Sequence, residues 1–172
     1  FPWRNTQDPY KILVSEFLLQ KTHVRKVEDV YISLIEIFPS IENLAKAKIK
    51  EVVKIINPLG FLNRAERMIG LARYVVENYE GTIPRNFDIL LEFHGVGRYI
   101  ASAVMIFAFE EKRVIVDTNV IRVFEHELGY ISNKKRPRTD RDLWAFAQSL
   151  APEKNIREFN WGLLDYGTKI KP

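Results

Sequence analysis

Apolar residues recur at three- and four-residue intervals through almost the whole chain, the spacing of one face of an α-helix. Ile12, Leu13, Glu16, Leu19 and Gln20 share such a face in a helix opening after Asp8-Pro9, where proline's missing N–H costs nothing. Val27, Val30, Tyr31, Leu34 and Ile35 stripe a second helix that Pro39-Ser40 ends. Short helices at 41–47 and 49–56 precede a break at Pro58-Leu59-Gly60. Ala65, Met68, Ile69, Ala72, Val75, Val76 and Tyr79 predict a long amphipathic helix closed by Gly81. Helical segments follow at 87–93, 98–109, 120–128, 143–150 and 156–168, with Thr139 and Asp142 resembling a capping box for the fourth of these. Only Val114-Ile115-Val116 reads as extended, as a short strand or, better, a connector. With no repeat and no low-complexity linker, the pattern predicts an all-α chain.

Composition narrows the function classes. The 172 residues suffice for one domain or two small lobes. A hydrophobic fraction of 47% with 12% aromatics belongs to a globular rather than a disordered chain. No apolar run approaches the roughly 18 residues of a membrane-spanning helix, and Phe1-Pro2-Trp3-Arg4 lacks a signal-peptide pattern. Cysteine is absent, so these residues can form no disulfide, thiol nucleophile or cysteine-ligated metal site. His23, His94 and His126 show no metal-ligand spacing. The net charge of +4 mildly favours an anionic partner.

Two short stretches carry the candidate chemistry. Phe93-His94-Gly95-Val96-Gly97-Arg98-Tyr99 sets a Gly-Val-Gly turn between two helices, where backbone N–H groups can face a phosphate. The plain alternative is a tight interhelical turn in which glycine only supplies a positive φ. Asp117 then opens the helix after Val116. A carboxylate there suits chemistry that builds positive charge on a sugar, as breaking an N-glycosidic bond does; it equally suits a helix cap and nothing more. Glu16 lies among apolar residues, where a carboxylate is costly unless bonded or used, or else at the edge of its stripe. Tyr99 could stack on a flipped base or fill core. Gln20 and the Phe61-Leu62 pair could plug the hole a flipped nucleotide leaves, with ordinary packing as the alternative for the pair. Lys134, Lys135, Arg136 and Arg138 form a basic loop suited to phosphate or simply to water.

The stretch from Phe93 to Ala101, with Val116-Asp117-Thr118-Asn119-Val120 and Val123, resembles the helix-hairpin-helix, Gly/Pro-Asp (HhH-GPD) superfamily of DNA glycosylases. Phe1-Pro2-Trp3-Arg4 with Asp8-Pro9-Tyr10, the stretch Ser15-Glu16 to Leu19-Gln20 and Thr22, Leu59-Gly60 with Arg64-Ala65, and Asn160, Gly162, Leu163, Asp165 and Gly167 extend the resemblance to the MutY and Mig-like branch. The resemblance implies two helical lobes with the active site in the cleft between them: a six-helix lobe at 8–111, and a second lobe of 1–7 plus 112–172. It implies that Asp117 is catalytic, with Tyr99 and Glu16 lining the base pocket. Gln20, Phe61, Leu62, Gly95, Val96, Gly97 and Arg98 become DNA contacts, and Gly95 and Gly97 a backbone site for a sodium or potassium ion. The implied partner is double-stranded DNA with a mismatched or damaged base, met by a monomer in the cytoplasm of a prokaryote or the nucleus of a eukaryote.

Three departures refine that expectation. Bifunctional relatives such as endonuclease III carry lysine where this chain has Tyr99; without the amine no Schiff base forms, and Arg98 stays protonated. The expected activity is therefore monofunctional. Tyr99 and His94 resemble the thymine-removing members, whereas adenine-removing MutY has a small hydroxyl residue in place of Tyr99. Lys171 stands where iron–sulfur members put their first cluster cysteine, so no [4Fe–4S] cluster is expected. Thymine or uracil opposite guanine is the favoured target, with adenine opposite guanine or 8-oxoguanine as the alternative because Glu16 suits either, and a catalytically silent DNA-binding module as the third.

Overall fold

The computed structural model describes residues 1–60 and 62–170. Helices joined by short turns account for the architecture, with no strand among the described residues. The chain divides into two compact units, Phe1–Phe109 and Glu110–Pro172. No helix among the described residues is long and apolar enough to cross a membrane.

In the first unit, α1 (Pro9–Leu19) starts where the Asp8 carboxylate accepts the Tyr10 N–H at 2.9 Å. It is not the one-faced helix its stripe suggested. Val14, Ser15 and Phe17 are buried as well as Ile12, Leu13 and Glu16, so α1 runs through the middle of the unit. Around it pack α2 (Val24–Ile37), α5 (Asn63–Tyr79) and α7 (Arg98–Phe107), with α3 (Ile41–Lys46) and α4 (Ile49–Ile56) completing the wall against α5, and α6 (Phe87–Glu92) seated on α7. The unit thus holds seven α-helices among the described residues, one more than the six-helix lobe expected. Residues 1–7 also group here rather than with the second lobe: Trp3 is buried and packs edge-on to Tyr31 of α2, ring centroids 5.4 Å apart. At the far end of α5 the chain turns through Glu80 and Gly81, both left-handed, and the Gly81 N–H returns to the Val75 carbonyl at 3.2 Å.

The second unit holds α8 (Thr118–Leu128), α9 (Arg141–Ser149) and α10 (Ile156–Gly167), with α8 packed on α10. Residues 114–116 are a buried extended connector rather than a strand. A side chain takes the place of a neighbouring strand: Asn160 of α10, fully buried, accepts the Ile115 N–H at 2.9 Å and donates to the Arg113 carbonyl at 3.0 Å. The start of α9 differs from the capping box read at Thr139. Asp140 caps it, accepting the Asp142 N–H at 3.0 Å and the Ser132 hydroxyl at 2.5 Å, while Thr139 ends a separate 3-10 turn. Aspartate serves both contacts because it has two acceptor oxygens, one for the Asp142 N–H and one that ties back the loop through the Ser132 hydroxyl.

Candidate active site

The Gly-Val-Gly turn links α6 to α7, and its two glycines have different jobs. Gly95 has φ +85, and a Cβ there would lie 3.1 Å from the Phe17 ring of α1, so conformation and packing both require glycine. Gly97 has φ −96, open to any residue, and nothing lies within 4 Å of where its Cβ would be. It is exposed at the N-cap of α7, with no side chain capping the first turn. Fold alone accounts for Gly95 but not for Gly97; what a bare Cα there permits is close approach of an anion to the first amides of α7. Val96 between them is buried as an anchor, and Arg98 beside them is exposed.

Gln20 joins this hairpin. Half-buried at the C-cap of α1, it donates from Nε2 to the Gly95 carbonyl at 3.5 Å, a long bond. Leu62, at the N-cap of α5, is exposed; Phe61 lies outside the described residues, as does Lys171. Glu16 and Tyr99 sit on α1 and α7, which pack together; Glu16 is only 6% exposed and Tyr99 half-buried. The edge-of-stripe reading of Glu16 therefore does not hold. The Gly97 carbonyl accepts the Ala101 N–H at 3.0 Å and the Gly95 carbonyl faces the Gln20 amide.

Asp117 belongs to the second unit. It is the N-cap of α8: Oδ1 accepts the Val120 N–H at 2.8 Å and Oδ2 the Asn119 side-chain amide at 3.2 Å. Burial pushes its carboxyl above the ordinary aspartate value, opposed by the N–H groups of Val120 and Asn119 and by the charges of Arg138 and Arg122. A carboxylate held partly out of water and oriented by two donors can stabilise a cation that forms nearby, because there is little solvent to compete. Its backbone is set from both sides. Asn160 ties the connector leading in, and Gly167 of α10 lets that helix approach the α8 first turn so closely that a Cβ would lie 2.6 Å from the Asn119 carbonyl carbon.

Sequence reasoning did not single out Asn119, Arg122 or Asn160 as site residues, and left Arg138 as one of four loop cations. Arg138 differs from Lys134, Lys135 and Arg136 in acting on Asp117, and its carbonyl accepts the Trp144 indole N–H at 2.9 Å, which pins that part of the loop. Among the described residues no group of three or more histidines, aspartates and glutamates is placed to hold a metal.

An all-helical frame with an amide-lined hairpin and a capping aspartate defines a class, and comparison with known proteins agrees. The chain belongs to the HhH-GPD superfamily of base excision DNA repair proteins, whose model matches residues 14–149. It is 43% identical over 172 residues to a thymine-DNA glycosylase of Aeropyrum pernix, covering 98% of this chain and 77% of that one. An adenine DNA glycosylase of Mycolicibacterium smegmatis is 35% identical over 170 residues, 98% of this chain but 57% of its own. Among solved structures, that of a thermostable thymine-DNA glycosylase matches with a TM-score of 0.90 and 36% identity, over 99% of this chain and 78% of that one.

Proposed function

We propose that this protein is a monofunctional DNA mismatch glycosylase that removes thymine or uracil opposite guanine. The observation that carries the chemistry is Asp117, a partly buried carboxylate oriented by the Val120 N–H and the Asn119 amide. The thymine-DNA glycosylases it resembles over nearly its whole length support the choice of base.

In the reaction the bond between C1′ and the pyrimidine nitrogen breaks, its electron pair leaves with the base, and water adds to C1′. Asp117 stabilises the positive charge that develops on the sugar and guides the incoming water, whose proton it can accept. Tyr99 and Glu16 line the base pocket. Tyr99 has no amine to condense with C1′, so the strand stays intact and an abasic site remains. The first amides of α7 at Gly97 and Arg98 grip a backbone phosphate, which positions the enzyme without reading sequence. Gln20, with Leu62 and Phe61, fills the gap the flipped nucleotide leaves. The substrate is double-stranded DNA, met by a monomer. A sodium or potassium ion at the hairpin would have to share carbonyls that already meet donors, and no step here uses one.

One observation favours a second reading. Glu16 is a buried acid on α1, the kind of side chain that a general acid protonating adenine requires. Single-turnover excision separates the two. Labelled duplexes carrying G·T, G·U, G·A or 8-oxoguanine·A are incubated and resolved with and without alkali. Alkali-dependent breakage at T or U is expected. Breakage at A moves the target to adenine; breakage without alkali overturns the monofunctional assignment; binding with no excision leaves a DNA-binding module.

A further inference from the structure

The C-terminal end of α1 is held by a side chain that no reading of the chemistry uses. Arg64, on the first turn of α5, is 2% exposed. Its Nη1 donates to the Leu18 carbonyl at 2.6 Å and the Phe17 carbonyl at 3.3 Å. Its Nη2 donates to the Gln20 carbonyl at 3.3 Å and the Thr22 hydroxyl oxygen at 3.2 Å. The last turn of α1 has no basic residue of its own, so its carbonyls, the negative end of the helix, are met by a guanidinium from 42 to 47 residues away in the chain. Burial pulls the Arg64 pKa down from its ordinary value. A planar fork that spends its donors on consecutive acceptors fixes where they lie, which an apolar residue of the same volume could not do.

The acceptors are not spread over α1 at large. They end on the turn Gln20-Lys21-Thr22, whose middle residue is left-handed at φ +55 without being glycine. Such a conformation persists only where its surroundings over-determine it. Arg64 grips the turn on both sides of Lys21, and the Thr22 hydroxyl also donates to the Gln20 carbonyl at 3.2 Å. Gln20 is the residue this turn presents.

We infer that Arg64 is a positioning residue: it locks the strained Gln20-Lys21-Thr22 turn so that Gln20 enters the duplex from a preset geometry. The inference rests on the reading of Gln20 as the residue that replaces the flipped nucleotide. Ordering the turn in the free protein removes that cost from the moment of insertion. The lock therefore matters when a base must be driven out of the stack, and not when it is already out.

The test uses Arg64→Lys, which keeps a buried cation but loses the fork, and Thr22→Val, which removes the hydroxyl that accepts from Arg64 and donates to the Gln20 carbonyl. Each is assayed under single-turnover conditions on uracil in a G·U duplex and on uracil in an unpaired bulge. Both variants are expected to lose about tenfold or more on the G·U duplex, since flipping there costs a few kcal/mol, and to stay within about twofold of wild type on the bulge. Equal losses on both substrates would make Arg64 a fold-holding residue only, and no loss on either would also overturn the inference. A 2-aminopurine beside the mismatch reports unstacking without excision. It is expected to brighten on binding of wild type and less so with either variant, so the inference is tested even if the excised base proves to be another.

Discussion

Helix α10 carries glycine at 162 and at 167, and the same substitution at each is expected to move stability in opposite directions. A Cβ on Gly167 would lie 2.6 Å from the Asn119 carbonyl carbon and 2.8 Å from the Asn119 Cβ. Carbon atoms in ordinary contact sit about 3.5–4.0 Å apart, so α10 and the first turn of α8 would have to separate by roughly 1 Å. Overpacking of that kind costs about 1–3 kcal/mol. At Gly162 nothing lies within 4 Å, and alanine in an open helix position gains about 0.5–1 kcal/mol over glycine. In a chain of this size each kcal/mol moves Tm by about 2–4 °C. Gly167→Ala is then expected to melt about 2–12 °C below wild type and Gly162→Ala about 1–4 °C above it.

The functional consequence differs as well. Asn119 is part of the turn whose donors hold Asp117, and a displacement of about 1 Å at a reacting group can cost on the order of a hundredfold in rate. Thermal melts followed by circular dichroism, with single-turnover excision well below both midpoints, read the two effects separately. A Gly167→Ala protein that melts with wild type would refute the close approach of α10 to α8. One that melts low but excises at the full rate would refute the claim that this approach positions Asp117.

Asp117→Asn is expected to abolish excision while leaving duplex binding and Tm at neutral pH equal to or above wild type. The folded protein raises the Asp117 pKa, so its contribution to stability is complete below the ordinary aspartate value and is lost as pH rises through the raised one; a clear fall in Tm would contradict that. Arg138→Gln removes a cation that holds the Asp117 pKa down, so the acid limb of the pH–rate profile is expected to move to higher pH, and an unmoved limb would mean the charge is not felt. Asn160→Leu strands the Ile115 N–H and the Arg113 carbonyl and is expected to cost about 2–5 kcal/mol, read by denaturant melts. Gly97→Ala is expected to fold like wild type and bind DNA more weakly, whereas Gly95→Ala destabilises the protein through its φ of +85 and the Phe17 contact; equal Tm losses in the two would remove the reason for reading Gly97 as a ligand contact.

Most of the helices were legible because an amphipathic stripe survives in any sequence that packs one face and wets the other. α1 shows the limit of that signal. Its stripe was real, but buried residues on its other faces gave no period to read, since a helix at the centre of a unit has no wet face. The start of α9 was misplaced because Thr139 and Asp140 are both good caps, and the deciding contact comes from Ser132 eight residues away. Asp117 and the glycine turn were legible as motifs, each with local reasons for its residue type. The roles of Arg64 and Asn160 were not, because they lie in hydrogen-bond partners 42 to 47 residues distant.

The two readings of Asp117, helix cap and catalytic carboxylate, turn out not to compete. A cap needs only one oxygen, and Oδ1 supplies it to Val120; Oδ2 is oriented by the Asn119 amide, which the cap does not require. Capping alone would be met as well by serine or asparagine on the surface, with no desolvation to offset. What the structure adds is a partly dry setting in which ionisation is disfavoured by burial and restored by amides and arginines. That balance lowers stability at neutral pH, and it is intelligible if the charge is wanted for a cation that appears only during the reaction. The helix start therefore serves as the mount for the carboxylate: the turn that Asp117 caps is the turn that aims it.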